Sequence, residues 1–197
     1  LSTNLVAAAP STSGKSLIAV SDFGEVFRVP VDALDQSEFY TKSVSRFRLP
    51  DGLKDPVGGL ELPDGRLAAW CGGKEPAVWT VNSSGQLEQR WPLADVPEAS
   101  PVPLAGGVVV PMPGRLSLTA MRQQVTDYRV SGDLKAQTSW KSLTPVNDTQ
   151  LVAINSDNQL VQIEYRKTPR PHLAEVSTTT FAGKTNVAPV AAGDYLC

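Results

Sequence analysis

Short apolar runs recur along the chain at nearly even spacing. LIAV (17–20), LAAW (67–70), GVVV (107–110) and LVAI (151–154) are the richest, and a further run begins at Tyr195. The last four are each led by a Pro-Val pair. Their prolines, Pro56, Pro101, Pro145 and Pro189, stand 45, 44 and 44 residues apart. A polar or Gly-rich turn separates each pair from its run: LPDG, LAGG and NDTQ in the clearest copies. The stretch NLVAAAPSTSGKSLIAVS is a weaker copy at the N-terminus, with Leu17 in the place of Leu67.

After each apolar run comes a tight turn and then an alternating segment: GEVFRV, AVWTV, GRLSLTA and NQLVQIEY. Alternation of β-branched and aromatic residues with polar ones, bounded by Gly, Pro, Asn and Asp, predicts β-hairpins. A more polar segment closes each unit: SVSRFRL, QLEQRWPL, VTDYRV or KAQTSW, and HLAEVSTTTF. Helical periodicity is nearly absent, and prolines interrupt most windows that could carry it. Four strands in about 44 residues, repeated, is the pattern of β-propeller blades, with apolar inner strands and a polar outer one.

The expected fold is therefore all-β: a β-propeller of about four four-stranded blades plus the first strands of a fifth. In a single domain over 1–197, the blades fall at roughly 4–50, 51–95, 96–140 and 141–183, with an unfinished fifth unit at 184–197. A β-sandwich is the alternative, but it does not require the regular spacing. Because the fifth unit stops within an apolar strand, the sequence reads as a piece of a longer protein. Alternatively, the fifth unit's strands close a small ring against the first blade. In a partial or open propeller, an exposed edge needs another chain, or a second copy, to cover it.

Composition narrows the function classes. The chain has 197 residues, enough for a real core. Its net charge of -2 gives no basic stripe for nucleic acid. No apolar run approaches the roughly 18 residues of a membrane helix, and LSTNLVAAAP lacks the charged start and apolar core of a signal peptide. Cys71 and Cys197 lie far apart in a chain with one histidine, which fits buried structural thiols better than a metal site.

Taken with the Pro-Val lead-in and its turn, the strings LVAINSDNQLVQIEY and LIAVSDFGEVFRVPV resemble the PQQ-like repeat of quinoprotein-dehydrogenase-like β-propellers. In that family the hairpin is an apolar strand, Ser-Asp-x-Gly, and a second apolar strand. The resemblance spans nearly the whole chain. It implies a propeller of bacterial type, in a group that includes quinoprotein alcohol dehydrogenases and a periplasmic lipoprotein assisting outer-membrane protein assembly. A periplasmic or extracellular location follows as an expectation, with a cytoplasmic one left open. The family's tryptophan-docking motif is not reproduced. Its nearest match is VNSSGQLEQRW, where Val81 replaces the Asp, Ser84 and Gly85 take the Thr-Gly places, and Trp91 comes too late. The adjacent cysteines of the catalytic members are absent too. The resemblance implies the fold and argues against the chemistry, so no cofactor is expected.

Candidate chemistry is sparse. APSTSGKS carries Gly14, Lys15 and Ser16 of a phosphate-binding loop, but Ala9 stands where its first Gly belongs. Such a loop must open a helix, whereas a β-hairpin follows here, so a surface turn is expected. NSDNQ (155–159) bears oxygen ligands without the spacing or terminal Glu of a calcium loop, and is read as a hairpin turn. Trp70, Trp79, Trp91 and Trp140 suggest packing between blades. Asn82 and Asn147 each start a glycosylation sequon, which matters only in a secreted eukaryotic chain.

The most basic spot is YRKTPRPH. Arg166, Lys167, Arg170 and the single histidine, His172, form a candidate partner-binding loop for an anionic or acidic peptide partner. A plain solvated hairpin loop is the alternative. The expected function is a non-enzymatic protein-binding or scaffold propeller within a larger bacterial envelope protein, with self-association as a further option. The competing function is a degenerate quinoprotein-type oxidoreductase, or a hydrolase, with its site in the propeller channel.

Overall fold

The computed structural model describes residues 4–11, 14–33, 45–49, 56–130, 138–182, 191–192 and 195–196. Four antiparallel four-stranded sheets follow one another along the chain, each with its strands in sequence order. The first holds β1 (Leu5–Pro10), β2 (Ser16–Ser21), β3 (Glu25–Pro30) and β4 (Ser45–Arg48). The second holds β5 (Pro56–Glu61), β6 (Leu67–Cys71), β7 (Ala77–Val81) and β8 (Leu87–Pro92). The third holds β9 (Val102–Leu104), β10 (Gly107–Met112), β11 (Arg115–Thr119) and β12 (Tyr128–Arg129). The fourth holds β13 (Trp140–Pro145), β14 (Gln150–Asn155), β15 (Gln159–Arg166) and β16 (His172–Thr180). A short hairpin, β17 (Ala191–Ala192) with β18 (Tyr195–Leu196), comes last. Among the described residues the only helical turn is a 3-10 turn at Val31–Ala33.

Each apolar run of the sequence is the second strand of its sheet. Side chains on both faces of these strands are buried, so alternation is lost. β6 and β10 are buried at every position. The alternating segments are the third strands, and the polar segments are the fourth, at the sheet edge. One segment falls differently: of VTDYRV and KAQTSW, the first supplies β12, whereas Trp140 opens β13 of the next sheet.

The turns obey local chemistry. Asn82, Asn147 and Asn155 each fold their side-chain oxygen back onto the backbone. Asn82 Oδ1 accepts from the N–H groups of Ser84 and Gln86, Asn147 Oδ1 from those of Thr149 and Gln150, and Asn155 Oδ1 from those of Asp157 and Gln159. Ser21 Oγ plays the same part for Glu25 N–H. This is why Asn and Ser punctuate the apolar runs. The register also repeats. In β1, β5 and β13 one residue (Val6, Val57 or Lys141) is skipped as a bulge opposite the end of the second strand.

The chain forms two compact units, Leu1–Val96 and Pro97–Cys197. In the first, the facing sides of its two sheets bury Ile18, Val20 and Val26 against Leu67, Ala69 and Val81. In the second, Val109, Leu116 and Leu118 pack with Leu151, Ala153, Val161 and Ile163. Burying each such Val, Leu or Ile side chain stabilises by about 1.5–3 kcal/mol relative to exposure.

Candidate partner-binding loop

The loop joining β15 to β16 carries the candidate residues. β15 is anchored from within: Tyr165 is buried, its N–H donates to the Thr149 carbonyl, and its hydroxyl accepts from Gln123 Nε2 at 2.8 Å. The next residue turns outward. Arg166 is exposed and Nε donates to Glu164 Oε2 at 2.7 Å. That bond, together with one from Gln150 Nε2, holds the Glu164 carboxyl below its ordinary range. Lys167 and Arg170 are exposed and pair with no carboxylate among the described residues. His172 opens β16, half-buried, with Nδ1–H donating to the Arg170 carbonyl at 2.7 Å. The Thr168–Pro169 bond is cis.

The four candidate residues thus share one loop, but with different roles. Arg166 is already engaged and His172 caps the loop backbone. Lys167 and Arg170 are the charges that no described carboxylate meets. Sequence reasoning missed the segment joining β11 to β12. Thr126 N–H donates to the Pro171 carbonyl and Leu173 N–H donates to the Thr126 carbonyl, so Thr126 bridges His172 in parallel. The same segment contributes Gln123 to Tyr165 and exposes Arg122. Its signal was weak, because it lies in a connection whose length differs from unit to unit. Acidic groups are present nearby. Asp127 lies 3.9 Å from Arg115, and Asp148 is exposed on the β13–β14 turn that takes the Ala105 N–H.

Glu175 on β16 is engaged as well. Its Oε2 accepts from the Tyr128 hydroxyl at 2.6 Å and its Oε1 from the Thr178 hydroxyl at 2.7 Å. Partial burial, that hydrogen bond and the carboxylate charge together push the Tyr128 hydroxyl above its ordinary value.

The remaining sequence candidates occupy turns and core. Gly14 and Lys15 sit between β1 and β2 and Ser16 opens β2, with Ser16 N–H donating to Ser11 Oγ and Ser11 N–H to the Ser16 carbonyl. A strand follows where a phosphate site needs a helix. The buried Asn155 spends its side-chain oxygen on its own turn. Cys71 is buried, with Sγ facing the Ala77 carbonyl at 3.7 Å; Cys197 lies outside the described residues. Trp70 and Trp140 are buried, and Trp140 Nε1–H donates to the Met112 carbonyl. Trp79 lies under the Arg90 guanidinium. Among the described residues, no group of three or more His, Cys, Asp and Glu is placed to hold a metal ion. No described helix is long and apolar enough to cross a membrane.

No protein-family model and no curated protein sequence matches the chain. Solved structures do match. The β-propeller domain of Myceliophteria thermophila Cps50 (Swd1) aligns with a TM-score of 0.58 at 14% identity, over 91% of this chain and 59% of that one. The fold is that of a β-propeller. A protein of unknown function from Bacteroides caccae aligns at 0.54 and 14% identity, over 91% of this chain and 61% of that one. A chain of a mitotic checkpoint complex aligns at 0.58 and 11%, over 98% of this chain and 69% of that one. At these identities the likeness shows the fold alone. The four sheets are propeller blades, and the chain covers about three fifths of the length of the first two structures named.

Proposed function

We propose that this chain is a protein-binding or scaffold propeller with no catalytic role, and that it contacts its partner through the β15–β16 loop. The observation that carries this reading is the pair of exposed cations, Lys167 and Arg170. Among the described residues they stand without a carboxylate, on a loop whose backbone is tied to Thr126 on one side and Thr149 on the other. Exposed cations on an anchored loop suit an acidic partner surface, because little backbone ordering is left to be done on binding. One chain of similar fold belongs to a mitotic checkpoint complex.

We place the chain, by its Pro-Val repeat, with the PQQ-like repeat propellers. We take it as part of a larger bacterial envelope protein, periplasmic or extracellular. Its covering only about three fifths of two chains of similar fold supports that reading. The test compares wild type with a Lys167→Glu/Arg170→Glu variant for capture of partners by cross-linking in envelope extracts. Charge reversal is expected to abolish the dominant cross-link without changing the melting temperature. A stoichiometric quinone or metal ion in the purified protein would overturn the non-catalytic reading.

A further inference from the structure

We propose that the open part of β16 accepts an extended peptide as an added strand, with an acidic end directed toward the cations at the His172 end of the strand. This rests on the partner-binding reading above and gives it a mode of recognition.

β16 is the outermost strand of its sheet and, among the described residues, the longest strand, at nine residues. From Glu175 to Thr180 every residue is exposed. The direction of its backbone groups follows from its two ends. Leu173 N–H faces outward, since it donates to Thr126, whereas Phe181 N–H faces inward, since it donates to the Asn158 carbonyl. Antiparallel strands alternate, so residues eight apart would face the same way. The bulge reverses this: Gln162 pairs with Ser177 and Ile163 with Glu175, leaving Val176 as the extra residue. Inward pairing of Ser177, Thr179 and Phe181 then turns the N–H and C=O groups of Thr178 and Thr180 outward. Glu175 faces outward on the other side of the bulge.

Thr126 already uses this edge by pairing at His172. Its chain leaves to join β11 as β12, and no other described segment pairs with the edge beyond it. Neither proline nor lysine, the usual guards of an open edge, lies in β16. Serine and threonine suit an added strand, whose main-chain bonds give affinity while its neighbours give specificity. The charges select the occupant. Arg122, Arg129, Lys167 and Arg170 are exposed and in no ion pair among the described residues. The carboxylates of this edge are engaged, Glu164 by Arg166 and Glu175 by the Tyr128 and Thr178 hydroxyls. An acidic strand is therefore favoured over a basic one.

The probes are capped synthetic peptides of alternating threonine and valine with three glutamates at one end, made with the glutamates at either terminus. Titration calorimetry against the purified chain should show binding of one of the two. Methylating alternate peptide amides should weaken it about tenfold or more, and replacing glutamate by lysine should do the same. Thr178→Pro, which removes an outward N–H and leaves the inward ladder intact, should weaken it about tenfold, with Thr178→Val within about twofold. If Thr178→Pro loses its fold by circular dichroism, the methylated peptides decide alone. Binding that resists amide methylation but is lost in Lys167→Glu/Arg170→Glu would overturn strand addition and leave the loop reading standing. Binding indifferent to that charge reversal would overturn the acidic occupant. Failure of both peptides to bind at millimolar concentration would overturn the proposal.

Discussion

β8 and β16 hold the same place, each the outer edge of a four-stranded blade, and each carries a one-residue bulge. Their surfaces differ. β8 (LEQRWP) is guarded by charge of both signs and ends in proline. Arg90 reaches Glu75 at 3.3 Å and lies over the Trp79 ring, and Glu88 stands 3.9 Å from Arg66. β16 (HLAEVSTTT) carries one engaged carboxylate and a run of hydroxyls. Outer strands contribute little to the core, so the fold tolerates either solution. Edge chemistry is thus where one blade can specialise while its neighbours stay inert.

This contrast can be sharpened by showing that the blades share one kind of core. The largest effect is expected for Trp140→Ala in the fourth blade. It removes a buried side chain and the hydrogen bond to the Met112 carbonyl, and should cost about 3–5 kcal/mol in urea unfolding. Gly58→Ala in the second blade comes next. A Cβ there would lie 2.2 Å from Trp70 Cζ2, an overpacking of about 1–3 kcal/mol. Equal tolerance at both sites would break the idea of a tightly packed tryptophan in these two blades.

Tyr128→Phe tests what orders the β16 edge and should cost about 1 kcal/mol near neutral pH. The fold raises the Tyr128 hydroxyl above its unfolded value of about 10, so the protonated form is the one it favours. That contribution is complete below pH of about 10 and is lost as pH rises toward the folded value. Wild type should therefore lose stability above pH of about 10 faster than the variant. The smallest stability change, under about 1 kcal/mol, is expected when β8 is neutralised by Glu88→Ser/Arg90→Thr, since these pairs are exposed. Its readout is association: light scattering should show that β8 becomes self-associating once unguarded. A variant that stays monomeric would show that charge is not what protects that edge.

The repeat made the blades legible. A 44-residue period and a fully apolar second strand mark where each blade begins, because a strand covered on both faces cannot alternate. The turns were legible for a similar reason: Asn82, Asn147 and Asn155 satisfy backbone donors within five residues of themselves. The basic loop could be seen as charge, but its two kinds of cation could not be told apart. Arg166 is neutralised by a residue two positions away, while Lys167 and Arg170 are not, and only geometry separates them.

The sequence by itself determined the strand class, the turn chemistry and the repeat, since each depends on neighbours within a few residues. Tertiary structure decided which edge is guarded and which is open, and that Thr126 pairs with His172 across 46 positions. It also set the parity shift that turns Thr178 and Thr180 outward. Pairing between distant strands depends on register, and register is set by packing between sheets rather than by local pattern.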